Sequence, residues 1–105
     1  MNMKTIRTEI EELTAFFQIE KRNEAPHPKV NELWDKIPED IAQLDEDEVV
    51  ELLSECSQDE IEALSPIFDL IIDAVDSDDF SDFIVGLKDK FSLDVISENI
   101  DLAVS

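Results

Sequence analysis

The apolar positions of this chain recur at intervals of three, four and seven residues, the helical period rather than the strand period of two. Ile6, Ile10, Leu13 and Phe17 open the pattern and predict an amphipathic helix over residues 4–21. Glu24-Ala25-Pro26-His27-Pro28 ends it, because each proline pushes the residue before it into extended backbone. Pro28 is placed to open a second helix with Val30, Leu33, Trp34 and Ile37 on one side. Pro38 stands where a further short helix carrying Ile41 and Leu44 would start.

Beyond Leu44 each apolar group is preceded by a capping residue. Asp45 or Asp47 precedes Val49, Val50, Leu52 and Leu53. Ser57-Gln58-Asp59-Glu60 has capping-box spacing ahead of Ile61 and Leu64. Ser65-Pro66 reads as a cap with proline in the first turn, opening a helix with Ile67, Phe68, Leu70, Ile71, Ile72 and Val75. Ser77 precedes Phe80, Phe83, Ile84, Leu87 and Phe91, and Ser92 precedes Leu93, Val95, Ile96, Ile100 and Val104. The pattern predicts an all-α fold: a compact bundle of about six to eight short helices, in a single domain over 1–105. Its expected core includes Ile10, Leu13, Phe17, Leu33, Leu53, Leu64, Phe68, Ile71, Phe83, Leu87 and Ile96.

Composition supports that reading and adds a constraint on function. A single glycine among 105 residues argues against hairpins, and 43% hydrophobic residues are too many for a disordered acidic tail. The 28 acidic and 8 basic residues give a formal net charge of −20. A surface of that sign repels phosphates, which excludes direct binding to nucleic acid or to anionic membrane. The start of the chain has no apolar run like that of a signal peptide, and no stretch is long enough to span a bilayer. One cysteine suits a reducing compartment, so the expected location is the cytoplasm.

The charge is unevenly placed. Residues 1–36 hold seven acids and six bases, whereas residues 37–87 hold seventeen acids and no base. Residues 88–105 hold four acids and two bases. Interspersed signs would serve solubility; one contiguous half of the chain has lost every lysine and arginine instead.

Familiar chemistries fail on ligand count or spacing. Cys56 and His27 form the one thiol–imidazole combination, with His27 between prolines and Cys56 at the end of an apolar face. One Cys and one His cannot hold zinc. An EF-hand loop started at Asp76 meets Phe80 at its fifth position and Leu87 where the bidentate glutamate belongs. Phe91-Ser92-Leu93-Asp94 lacks the aspartate directly before serine that marks acyl carrier proteins. No enzyme, cofactor or metal site is expected.

The acidic stripes carry the positive expectation. Glu48, Glu51 and Glu55 share a helical face at i, i+3, i+7, and Asp69, Asp73 and Asp76 at i, i+4, i+7. Together with Asp45, Asp47, Asp59, Glu62, Asp78, Asp79 and Asp82 they form the expected binding surface for a basic protein.

In size, charge and helical content, over its whole length, the chain resembles the small acidic immunity proteins that bacteria pair with toxins of contact-dependent growth inhibition. It departs from the four-helix immunity proteins of DNase colicins, which present a tyrosine pair, since it has no tyrosine. The resemblance implies a one-to-one complex with a cationic toxin domain, a nuclease and preferentially a ribonuclease, whose basic groove the carboxylates would cover. Two other classes fit the charge: a DNA mimic, and an acidic chaperone or subunit for a basic protein.

Overall fold

In the computed structural model of the chain, which describes residues 3–104, local capping decides where most helices begin. Helix α1 covers Met3–Asn23 and α2 covers Pro28–Ile41. His27 is the N-cap of α2: its Nδ1 accepts from the Lys29 amide at 3.1 Å, and its ring stacks on Phe16 with centroids 4.7 Å apart. Helix α3, Glu46–Ser54, starts after Asp45, whose amide donates to Glu48 Oε1. Helix α4, Gln58–Leu64, has a full capping box. Ser57 Oγ accepts from the Glu60 amide at 3.3 Å, and Glu60 Oε1 accepts from the Ser57 amide at 2.9 Å. Helix α5 covers Phe68–Val75, α6 covers Asp78–Lys90 behind the Ser77 cap, and α7 covers Asp94–Val104. The described residues are thus all-α.

Three expected starts are corrected. Pro38 opens no helix; α2 runs through it. A proline inside a helix removes one amide donor. Its ring is buried between the buried Ile37 and Ile41, and Lys36 bridges to Asp40 across it at 2.9 Å, which offsets the loss. Ser65 does not cap α5. Its backbone is already helical (φ −56°, ψ −35°), whereas an N-cap must be extended, and a 3-10 turn over Ser65–Ile67 carries α4 into α5. Ser92 lies one residue too early, because the Leu93 carbonyl accepts from the amides of Ile96 and Ser97 and starts α7.

Helix α1 packs on α2 and α4, α2 also meets α5, and α7 lies on α5 and α6. The buried apolar side chains form one cluster running from Ile6 to Ile100 and drawing on every helix. Nine of the eleven expected core residues are buried in it; Phe17 and Phe83 are only partly so. Beyond Leu13, α1 buries no side chain, so Phe17 lies at the edge against Trp34, ring centroids 6.1 Å apart. Phe83 leans in the same way on the buried Phe80, which takes the interior position on α6.

Candidate functional site

Carboxylates lie along most of the surface of α3, α5 and α6, and the ion pairs decide which of them are committed to the fold. Three bases from α1 and α2 reach into the base-free segment. Arg7 Nη2 meets Glu60 at 3.0 Å, Lys21 Nζ meets Glu62 at 2.8 Å, and Lys36 Nζ meets Asp40 at 2.9 Å. All three carboxylates are buried residues. Burying an ionised carboxylate without a partner costs several kcal/mol, so these pairings are a condition of burial. Glu60 serves twice, since the oxygen that takes Arg7 also closes the α4 capping box.

Glu62 therefore leaves the expected binding set. It retains only 8% exposure on α4, a helix with five consecutive buried residues, and its cation comes from 41 positions upstream. Local charge counting has no access to such a pairing.

Among the described residues the other fourteen acids of residues 37–87 make no ion pair. Twelve are exposed, and Glu46 and Glu48 are half-buried. Asp45, Asp47, Glu48, Glu51 and Glu55 belong to α3 and its ends, with Glu48 turned back onto the Asp45 amide. Asp59 is exposed in the first turn of α4. Asp69, Asp73 and Asp76 follow α5, and Asp78, Asp79 and Asp82 begin α6 one residue beyond the Ser77 turn. Residues 73–82 thus make one continuous acidic corner, and α3 carries a second cluster.

The helix dipole sorts these acids. In a first turn a carboxylate is favourable, which accounts locally for Glu46, Asp47, Glu48, Asp59, Asp69, Asp78 and Asp79. In a last turn or at a C-cap it is unfavourable. Glu51 lies in the last turn of α3 and Glu55 is its C-cap; Asp73 lies in the last turn of α5 and Asp76 is its C-cap. Asp76 also adopts left-handed backbone, φ 54° and ψ 57°, a conformation that aspartate tolerates better than most residues but glycine best. No basic residue occurs in the last turn of either helix. These four carboxylates weaken the helices that carry them. At the end of α3 the ammonium of Lys90 from α6 offsets part of the cost by donating to the Ser54 carbonyl at 3.1 Å, whereas the last turn of α5 has no base.

The remaining titratable features are structural. Cys56 is buried and receives a contact from Arg7 at 3.4 Å; burial pushes its thiol up to about 11, which keeps it protonated and unreactive at neutral pH. His27 caps α2, so neither member of the thiol–imidazole combination is placed for catalysis. Among the described residues no group of three His, Cys, Asp or Glu is arranged to hold a metal ion. No described helix is long and apolar enough to cross a membrane.

Glu9, Lys36 and Asp40 tie α1 to α2. Lys36 bridges the two carboxylates at 2.8 and 2.9 Å, while Glu9 Oε2 is buried without a hydrogen-bond partner. Burial pushes the Glu9 carboxyl up, the Asp40 carboxylate beside it adds to the rise, and Lys36 opposes it. Burial acts the same way on Asp40, but the hydrogen bond from Lys36 and its positive charge outweigh it and hold Asp40 low. A raised carboxyl binds its proton more tightly in the folded chain, so Glu9 destabilises the fold increasingly as pH climbs above the ordinary value of 4.5. Asp40 has the opposite sign, contributing stability that is lost as pH falls below its ordinary 3.8. Glu9→Gln keeps an acceptor for Lys36 and removes the proton. Its stability relative to wild type, from urea midpoints, is expected to improve as pH rises above 4.5 and to level off once the folded Glu9 carboxyl has lost its proton. A difference independent of pH would refute the assignment.

No protein family, curated protein or solved structure matches this chain. The functional reading therefore stands on the chain's own surface and on the resemblance in size, charge and helical content described above.

Proposed function

We propose that this chain is an immunity protein. It binds a cationic bacterial toxin domain one-to-one in the cytoplasm and covers the toxin's basic substrate groove with carboxylates. A nuclease fits best, because its substrate is a polyanion and its groove must be positive, and a ribonuclease is the favoured target. The observation that carries the proposal is the pair of carboxylates at the C-terminal end of α5, Asp73 and Asp76, held against the helix dipole with no base in its last turn. Glu51 and Glu55 join them at the end of α3, where Lys90 reaches the Ser54 carbonyl. Solubility alone would be served by acids anywhere on the surface. Acids retained where they destabilise the fold are explained by attraction to a positively charged surface.

The test is co-expression with the toxin encoded by the adjacent reading frame, followed by a nuclease assay on the purified toxin domain. Stoichiometric loss of activity, with competing RNA released on binding, is the expected result. Full nuclease activity in a saturated, stable complex would eliminate groove occlusion and put the chaperone or subunit reading in its place. Binding to a DNA-binding protein instead of a toxin would favour the DNA mimic.

A further inference from the structure

We propose that the groove between the Ser65–Ile67 turn and α7 receives an arginine side chain of the basic partner, a proposal that rests on the reading of that partner as a cationic protein. The groove encloses about 200 Å3 and is lined by Ser65, Pro66, Asp69, Asn99, Leu102 and Ala103. That is smaller than the roughly 300–1,000 Å3 of small-molecule sites, and suits a single side chain.

A chain of hydrogen bonds polarises it. Ser65 Oγ donates its one proton to the Glu62 carbonyl at 2.8 Å, so toward Asn99 it can only accept. Asn99 Nδ2 donates to it at 2.8 Å, which turns the Asn99 amide oxygen away from Ser65. With the amide nitrogen committed to Ser65, the oxygen is the acceptor that Asn99 can offer the groove it lines together with Asp69, and no described lining residue is basic. The walls are apolar: Pro66, Ala103 and Leu102, which at 73% is the most exposed large hydrophobic side chain described. Two acceptors beside an apolar wall match a guanidinium better than an ammonium. The planar fork can satisfy both acceptors at once, while its faces and aliphatic stem cover apolar surface. Exposed apolar surface with a carboxylate edge also supplies the desolvated anchor that a purely electrostatic surface lacks.

The experiment is a two-dimensional 1H–15N titration of the full chain with N-acetyl-arginine amide at constant ionic strength, with the lysine and glutamine analogues as comparators. The arginine probe should shift the Asn99 side-chain amide and the Asp69 and Leu102 backbone amides, at several-fold lower concentration than the lysine probe. The glutamine probe should shift none of them. Asp69→Asn should abolish these shifts and Leu102→Ser should weaken them, while Glu55→Lys leaves them unchanged. No shift at Asn99, equal response to lysine, or shifts spread over all acidic turns and insensitive to Asp69→Asn would each overturn the proposal. Failure here is distinguishable from failure of the immunity reading. If the wild-type chain and Asp69→Asn neutralise the toxin equally, the groove is wrong and the function stands; if the probe seats as described but no toxin is inhibited, the reverse holds.

Discussion

Replacing Glu55 and Asp73 by lysine together is expected to slow association with the basic partner by at least about tenfold at low salt while making the free protein more stable. Electrostatic steering raises association rates by roughly 10–10³-fold, and it acts through the charges that face the partner. Both residues are exposed and without an ion pair, one at the C-cap of α3 and the other in the last turn of α5. A cation at Asp73 also complements the helix dipole, worth about 0.3–1 kcal/mol, and the gain at Glu55 is smaller because Lys90 already holds the Ser54 carbonyl. In a domain of this size about 1 kcal/mol moves the melting temperature by roughly 4–8 °C. The control is Glu12→Lys with Asp35→Lys, the same change in net charge on exposed residues of α1 and α2. Glu9 is no control, because it is buried and held by Lys36. Stopped-flow association at several salt concentrations, with thermal melts of the free proteins, tests the pair of claims. Equal slowing by both double variants would mean that net charge alone acts. A fall in melting temperature would mean that the dipole does not penalise these positions.

Phe68→Ala is expected to cost about 3–5 kcal/mol, a large part of the roughly 5–15 kcal/mol available to a small domain. Phe68 is fully buried at the first position of α5, where the 3-10 turn delivers the chain into the space between α2, α6 and α7. A cavity there is bounded by four elements and cannot close by moving one of them. Leu70, two residues on, keeps 45% exposure, and Leu70→Ala should cost well under about 1 kcal/mol. Urea denaturation of the two variants measures the contrast. Similar losses would show that α5 docks through a different face.

The residues of α5 show how much of this protein is legible in one dimension. The apolar run Leu70-Ile71-Ile72 suggests a helix buried on most sides, with aspartates on one narrow stripe. The stripe is exposed as expected, yet Leu70 faces solvent beside it, because α5 is only eight residues long and its neighbours cover one side. Burial depends on what packs against a helix, and its own sequence does not specify that. Caps were more readable. Ser57-Gln58-Asp59-Glu60 and Ser77 act within one turn of themselves, so their chemistry is complete in the local sequence. Ser65 has the same side chain but follows α4 without a break, and a residue already in helical backbone cannot cap the next helix.

By itself the sequence determined the all-helical class, most helix starts, the apolar set that forms the core, and the concentration of acids in residues 37–87, since periodicity, capping and net charge are local or additive properties. Tertiary structure decided which carboxylates remain at the surface. Arg7, Lys21 and Lys36 lie in the charge-balanced first third of the chain, yet they neutralise Glu60, Glu62 and Asp40 in the segment that has no base of its own. Tertiary structure also joined Ser65 to Asn99 across 34 residues and so committed the Asn99 amide nitrogen at the groove that Asn99 lines with Asp69. Both results come from long-range pairing, in which a burial cost at one position is met by a donor far away in the chain, and only the folded chain brings the two together.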